Sequence, residues 1–172
     1  MNAQQTTPNV TPNVPAPTAA ATGEREFTVT HSVRAPLALV WAAHTEPDHV
    51  RHWLLGPDGW TMPVCEIDLR VGGRYRYVWR SAEGHEMGMG GVYQEVAAPS
   101  RLVATERFDV AWYPGEGHVT MTLAESGGVT TVRHVLRYES AEALQAVARS
   151  PMTDGMAATY ARLGRYLAER QG

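Results

Sequence analysis

Residues 74–80 of the chain read Arg-Tyr-Arg-Tyr-Val-Trp-Arg. This alternation predicts a β-strand with Tyr75, Tyr77 and Trp79 on one face and the arginines on the other. Turn-forming residues stand on both sides, Gly72-Gly73 before the strand and residues 81–84 (Ser-Ala-Glu-Gly) after it. We therefore expect the neighbouring strands to run antiparallel to this one.

Outward from this strand, the pattern predicts further strands at 27–33, 64–69, 86–96, 101–110, 118–124 and 129–138. Ala35-Pro36 and Pro47 each open a short helix, and helical spacing returns at 141–148 and in a longer stretch after Pro151. The short connections leave no room for parallel crossovers. The prediction is an α+β fold in which about six or seven antiparallel strands curve around a long C-terminal helix, with two short helices after the first strand.

Composition excludes several classes of protein. The chain has 172 residues, a net charge of −3 and no lysine, so it lacks the basic surface of a nucleic-acid binder. Its single cysteine, Cys65, excludes an internal disulfide and a zinc site made of cysteines. No apolar run approaches the length of a membrane span, and no secretory signal is recognisable. We expect a cytoplasmic protein.

The first 23 residues are rich in proline, alanine and threonine and carry no charged or aromatic side chain. Such a composition predicts a disordered tail over 1–23, followed by one domain over 24–170. Deleting the tail is then expected to leave the stability of the domain unchanged.

Several motifs resemble the SRPBCC superfamily, which has a helix-grip fold, and within it the activator of heat shock protein 90 ATPase homologue 1-like family, in a bacterial single-domain subset. The resemblance covers roughly residues 26–167. It is carried by Ala35-Pro36, Val40-Trp41, Trp53, residues 71–75 (Val-Gly-Gly-Arg-Tyr), 91–93 (Gly-Val-Tyr), 105–109 (Thr-Glu-Arg-Phe-Asp), 112–115 (Trp-Tyr-Pro-Gly) and 155–158 (Gly-Met-Ala-Ala).

The resemblance implies an apolar cavity between the sheet and the terminal helix that binds a small hydrophobic or aromatic molecule, as in a carrier or sensor. A few relatives are cyclases or aromatases, so a cyclase, aromatase or hydrolase using the same cavity is a second hypothesis. A protein-interaction or co-chaperone-like module is a third, and a homodimer or a protein partner stays open. An ATPase is not expected, because the chain has no phosphate-binding loop and no lysine.

The predicted ligand-binding residues are those that the strand and helix patterns direct to this cavity. They are Trp53, Tyr75, Tyr77, Trp79, Met89, Glu106, Phe108, Trp112, Met121, His134, Leu136, Met152, Met156 and Tyr160. The aromatic face at 75–79 fits a cavity wall and a packed core equally well. Trp112 and Trp60 fall in predicted loops, where they could close the cavity or anchor a partner.

Glu106 and His134 are the candidate acid–base residues, because alternation places each among apolar side chains. A buried Glu106 calls for an arginine or histidine nearby, and it serves either as a ligand anchor or as half of an ion pair. The alternative is that its strand faces the other way.

Neither a metal site nor a cofactor is expected. His49 and His52 have helical i, i+3 spacing, but the pattern His-Glu-x-x-His is missing, and we interpret His44, His49 and His52 as a surface cluster. Cys65 has no partner nearby in the sequence and is expected to be a small core residue. The glycines between Met87 and Gly91 fit bulges and curvature better than dinucleotide binding.

Overall fold

A computed structural model describes residues 13–172, except for the side chain of Met152, as one antiparallel sheet with four α-helices. The strands are β1 (Thr18–Ala21), β2 (Glu26–Val33), β3 (Thr61–Ile67), β4 (Arg74–Arg80), β5 (Glu86–Ala97), β6 (Arg101–Phe108), β7 (Gly117–Ser126) and β8 (Val129–Arg137). The helices are α1 (Leu37–Thr45), α2 (Pro47–Trp53), α3 (Ala141–Ala148) and α4 (Met156–Gln171), with a short 3-10 turn at Pro151–Thr153. The predicted α+β helix-grip fold is confirmed, with eight strands in the sheet.

The strands are ordered β1-β2-β8-β7-β6-β5-β4-β3, and all neighbours pair antiparallel. Short turns connect the consecutive strands from β3 to β8. The tightest is the two-residue loop Gly127-Gly128 between β7 and β8, in which both residues have positive φ angles of 59° and 75°. Two successive residues in this conformation match the twist of the hairpin, and glycine adopts it without strain.

The middle of the sheet is curved by irregular pairing. The register of β5 against β6 shifts between Tyr93 and Glu95, just after the glycine-rich run. At Gly91 the backbones of β5 and β6 come so close that a Cβ atom would lie 1.8 Å from the Thr105 carbonyl oxygen. A side chain at this position is therefore excluded, and the strand can bend toward the helices.

The prediction of a disordered tail does not hold for residues 18–21. They form β1, which pairs with β2 from Thr18 opposite Thr30 to Ala21 opposite Phe27. The sequence shows no amphipathic alternation here, because an edge strand of alanines is held by main-chain hydrogen bonds that need no particular side chain. The part of the predicted tail at residues 1–12 lies outside the described residues.

The helices lie against one face of the sheet. The main contacts of α4 are with α2 and β2, those of α1 include β7, and α3 packs on β1 and β2. The Ser140 hydroxyl caps α3 by accepting a hydrogen bond from the Ala143 amide at 3.1 Å. Among the helices of residues 13–172, none is long and apolar enough to cross a membrane.

Candidate functional site

Strand register identifies the sheet face that the helices cover. Met121 and Leu123 of β7 pack with Leu163 and Leu167 of α4, so the odd-numbered positions of β7 face the helices. Glu106 of β6 is opposite Gly117, and His134 of β8 is opposite Met121. Because directly paired residues share a face, Glu106 and His134 both point to the covered side. This settles the orientation of β6 that the sequence left open.

The predicted binding residues are divided among three core clusters. Trp53 and Met121 belong to the first, between α1, α4 and β7, and Tyr160 packs against it. Tyr75, Tyr77, Trp79 and Met89 belong to the second, at the β3–β5 end of the sheet. Phe108, Leu136 and Met156 pack against the third, around Phe27 and Tyr138, which Tyr160 also contacts. The side chain of Met152 lies outside the described residues.

The aromatic face of β4 is packed core. Tyr75, Tyr77 and Trp79 are all buried, and their rings contact one another in sequence, the first pair tilted and the second edge-to-face, with centroids 5.2 Å and 5.8 Å apart. The Tyr75 hydroxyl donates to the Thr105 carbonyl at 2.8 Å, and the Trp79 indole donates to the Leu54 carbonyl at 2.7 Å. Because these polar atoms are satisfied within the protein, they are not free to orient a ligand.

Glu106 has a tyrosine as its partner instead of the expected arginine or histidine. The Tyr113 hydroxyl donates to its carboxyl oxygen at 3.1 Å, and no ion pair to Glu106 occurs within residues 13–172. Burial raises the pKa of Glu106 to about 7, although the bond from Tyr113 acts in the opposite direction. Tyr113 is itself buried in an edge-to-face series of rings with Phe108, Trp112 and Tyr138. The burial of Tyr113, which lies in the loop five residues after the end of β6, is not visible in the sequence pattern.

Glu106 and His134 do not form an acid–base pair. They lie two strands apart and four positions apart along the strands. Strand geometry then separates their Cα atoms by about 16 Å, since four residues span about 13 Å and two strand spacings about 10 Å. A general acid and base that act on one reacting centre must both reach it by hydrogen bonds. This separation removes the structural basis of the predicted acid–base arrangement.

His134 instead belongs to a cluster with two other histidines, His31 of β2 and His44 of α1. The ring centroids lie 5.5 Å apart for His31 and His44 and 5.9 Å apart for each of the other two pairs. The Tyr160 ring stacks on His31 at 3.8 Å, and the Trp53 ring lies 4.9 Å from His44. Three imidazoles and two aromatic rings thus meet under α4. We call this group the histidine cluster.

Sequence reasoning missed two of the three members. The interpretation of His44 as a surface histidine was wrong, because His44 lies one helical turn after Val40 and points into the core with it. The i, i+4 spacing of Val40 and His44 was the sequence signal that could have identified His44 as a buried residue. His31 alternates with Phe27, Val29 and Val33 just as His134 alternates with Val132 and Leu136, and it is only 1% exposed.

The other predicted candidates have structural partners. His49 hydrogen-bonds the Tyr166 hydroxyl at 2.8 Å, and His52 stacks on the same ring. Cys65 is buried, and burial raises the pKa of its thiol to about 11, so it is protonated at neutral pH. No three His, Cys, Asp or Glu side chains within residues 13–172 are arranged to hold a metal ion. Trp60 is half-buried, and Trp112 retains 36% of its surface.

Part of the covered face keeps accessible surface. Glu106, Val119, Leu136 and His134 form a diagonal row across β6, β7 and β8 with Glu106 and His134 at its two ends, and all four keep accessible surface. Met121 and Val132, which lie one pair further along β7 and β8, are buried. Accessible surface at the centre of a face covered by helices indicates space between the sheet and α4.

A groove of about 690 Å³ runs along α4. It is lined by residues 14–17, by Ser32–Arg34 at the end of β2, and by small residues of α4 such as Ala161 and Gly164. Tyr160 is the one predicted binding residue among its lining residues. Since the same ring stacks on His31, Tyr160 belongs both to the groove and to the histidine cluster.

Comparisons with known proteins agree with this architecture. A solved structure of a Rhodobacter sphaeroides protein is 30% identical, with a TM-score of 0.84, and the match covers 90% of this chain and 99% of that one. A Mycobacterium smegmatis protein (Ms6760) is 23% identical with a TM-score of 0.76 over 90% and 97% of the two chains. An AHSA1-like protein from Aeromonas hydrophila is 21% identical with a TM-score of 0.62 over 84% and 94%.

No curated protein matches the chain in sequence. The family model described as activator of Hsp90 ATPase homolog 1-like protein matches residues 34–168, from the end of β2 almost to the end of α4. This range includes α1, α2, the strands β3 to β8 and most of α4, whereas β2 lies just before it. With most of the chain matched in this way, the protein belongs to the activator of Hsp90 ATPase homolog 1-like family.

Proposed function

We propose that the protein binds a small, largely apolar molecule between the sheet and α4, as a carrier or sensor. The fold is one that commonly binds hydrophobic ligands. The observation that carries the proposal is the accessible surface of Glu106, Val119, His134 and Leu136 at the centre of the covered face. Apolar surface that folding leaves unburied in a concave site is available to stabilise a bound ligand.

The groove along α4 supports an entry route. Its volume of about 690 Å³ is within the range of small-molecule sites, and most of its α4 wall consists of alanine and glycine. Tyr160 lines the groove and also stacks on His31 of the covered face. Rotation of this one side chain therefore connects the groove with the space between the sheet and α4. Side-chain rotation of this kind is fast compared with ligand exchange.

Catalysis has less support. The predicted acid–base pair is split between two regions, and Cys65 is a buried, protonated thiol. The Glu106 carboxyl group, which accepts a hydrogen bond from Tyr113, lies at the end of the site away from His134 and can bond a polar group of a ligand. It has no second acid–base residue beside it, as catalysis would require.

A pair of tryptophan substitutions on β7 tests the site. Val119 faces the proposed space, whereas its neighbour Thr120 faces the opposite side of the sheet, so Val119→Trp fills the space and Thr120→Trp is the matched control. We expect the protein to bind naphthalene saturably, measured by quenching of tryptophan fluorescence and by equilibrium dialysis. Val119→Trp is expected to lower the affinity at least tenfold, and Thr120→Trp to leave it within twofold. Equal binding by both folded variants would place the ligand elsewhere and contradict the proposal.

A further inference from the structure

The histidine cluster holds buried polar atoms without partners. Both ring nitrogens of His31, Nε2 of His44 and Nδ1 of His134 are shielded from solvent and find no hydrogen-bond partner among the described residues. Buried polar groups in proteins are nearly always paired, and leaving them unpaired is costly. Three adjacent side chains with this defect indicate that an additional molecule completes the site.

The hydrogen-bonding state of His44 can be derived. Its Nδ1 lies 2.8 Å from the Val40 carbonyl oxygen, which can only accept. Nδ1 therefore carries the proton, and Nε2 of the neutral ring offers a lone pair. His31 offers one donor and one acceptor in its neutral form. Together the rings require a group that donates to His44 and also accepts from His31 or His134.

The cluster is neutral at physiological pH. Burial lowers the pKa of His44 to about 4 and that of His134 to about 3, and it lowers the pKa of His31 further, aided by the two neighbouring rings. The aromatic rings in contact with the cluster, Trp53 and Tyr160, are uncharged, and no acidic side chain forms an ion pair with His31, His44 or His134 within residues 13–172. A permanently charged ligand group would be buried here without a counter-charge, which is unfavourable.

We propose that the histidine cluster is the polar end of the ligand site and binds a hydroxyl group carried on an aromatic ring. A hydroxyl donates one hydrogen bond and accepts two, which matches the unpaired nitrogens, and the Tyr160 ring, which keeps accessible surface and lines the groove, offers an aromatic surface beside the cluster for the ligand ring. The inference rests on the proposed function and specifies its ligand class.

Two probes that differ only in the hydroxyl group test the inference. Naphthalene and 2-naphthol share one ring system, and an apolar cavity alone would favour naphthalene, because the hydroxyl group prefers water. We expect the protein to reverse this order and bind 2-naphthol about tenfold more tightly, the effect of one or two net hydrogen bonds. The anion 2-naphthoate is expected to bind at least tenfold more weakly than 2-naphthol.

Variants identify which residues produce the preference. His44→Leu and His134→Leu, made separately, are expected to lose the preference for 2-naphthol, so that the ratio of the two affinities falls from about ten to one or below. His118→Leu is the matched control, because His118 faces the opposite side of the sheet, and it should keep the preference. Circular dichroism confirms that each variant is folded, and two separate variants keep the test valid if one is not.

The outcomes separate the two proposals. A preference for 2-naphthol that both cluster variants abolish supports the inference. If naphthalene binds more tightly and the variants change nothing, or if 2-naphthoate binds most tightly of the three, the hydroxyl assignment is overturned while the proposed function stands. If neither aromatic probe binds to the folded protein, both proposals are overturned.

Discussion

The substitution His31→Leu is expected to stabilise the ligand-free protein. In most cores, replacing a buried side chain lowers stability. His31, however, is 1% exposed, and neither of its ring nitrogens has a partner among the described residues. Leucine has a similar volume and no polar atom, so the substitution removes the unpaired groups and preserves the packing against Val132 and its neighbours.

The size of the effect follows from two opposing contributions. Each unpaired buried polar group costs about 1–3 kcal/mol. The lost stacking of His31 on Tyr160, at 3.8 Å between centroids, is worth about 0.5–1.5 kcal/mol in the other direction. The two nitrogens together cost about 2–6 kcal/mol, so a net gain of at least about 0.5 kcal/mol and up to about 5 kcal/mol is expected, which for a domain of this size raises the melting temperature by about 2–4 °C per kcal/mol.

Thermal and urea unfolding at pH 7.5, without ligand, measure the change. The matched control is His49→Leu, because His49 is bonded to the Tyr166 hydroxyl at 2.8 Å and its replacement removes that hydrogen bond. His49→Leu should therefore lose about 1 kcal/mol. A loss of more than about 1 kcal/mol in His31→Leu would refute the reasoning, since His31 would then have a partner in the ligand-free protein.

The remaining predictions concern pH, the sheet and the N-terminal strand. The folded-state pKa values of His44 and His134 are below the ordinary 6.5, so the unfolded chain binds protons more readily. Stability should then fall as the pH drops from 6.5 toward 4, by up to about 1.4 kcal/mol per pH unit for each histidine, and less steeply in His134→Leu when measured by urea unfolding. Glu106 changes stability with pH in the opposite direction, because its raised pKa of about 7 means that stability is lost as the pH rises from 4.5 through 7. Glu106→Gln should therefore be more stabilising at pH 8 than at pH 5. An equal effect at both pH values would contradict this. Gly91→Ala should lower the stability by about 3 kcal/mol, because its Cβ would meet the Thr105 carbonyl oxygen. Gly164→Ala in α4 has open space around it and should raise the stability by up to about 1 kcal/mol. Thermal melts that rank the two variants the other way would contradict the close approach of β5 and β6 at Gly91. Deleting residues 1–23 should lower the melting temperature by several degrees, because it removes β1 and exposes the edge of β2, and an unchanged melting temperature would show that β1 contributes nothing.

The fold was largely predictable because its signals are local. Alternation at 74–80 and at 129–138, together with turn residues between the strands, determines antiparallel neighbours, and the helical spacing after Pro151 identifies α4. The strand at residues 18–21 was not predictable in this way. Its pairing depends on main-chain groups of β2 that composition does not describe.

The site was predictable only in part, because it depends on contacts between distant segments. Alternation placed Glu106 and His134 on apolar faces, and both do point to the helices. The sequence could not show that they lie at different positions along the sheet, nor that Tyr113 would be the partner of Glu106. It also could not bring His31, His44 and His134 together from β2, α1 and β8. Each of these facts requires the strand order and register.

The most direct test of ligand binding under α4 is an NMR titration of the full chain with 2-naphthol. Spectra of isotope-labelled protein would report the methyl groups of Val119 and Leu136 and the ring protons of His134 and Tyr160. We expect saturable shifts in these groups, with intermolecular contacts between the ligand ring and the Val119 and Leu136 methyls. Contacts confined to the outer face of the sheet, around Val103 and Val135, or shifts that grow linearly without saturation, would contradict it.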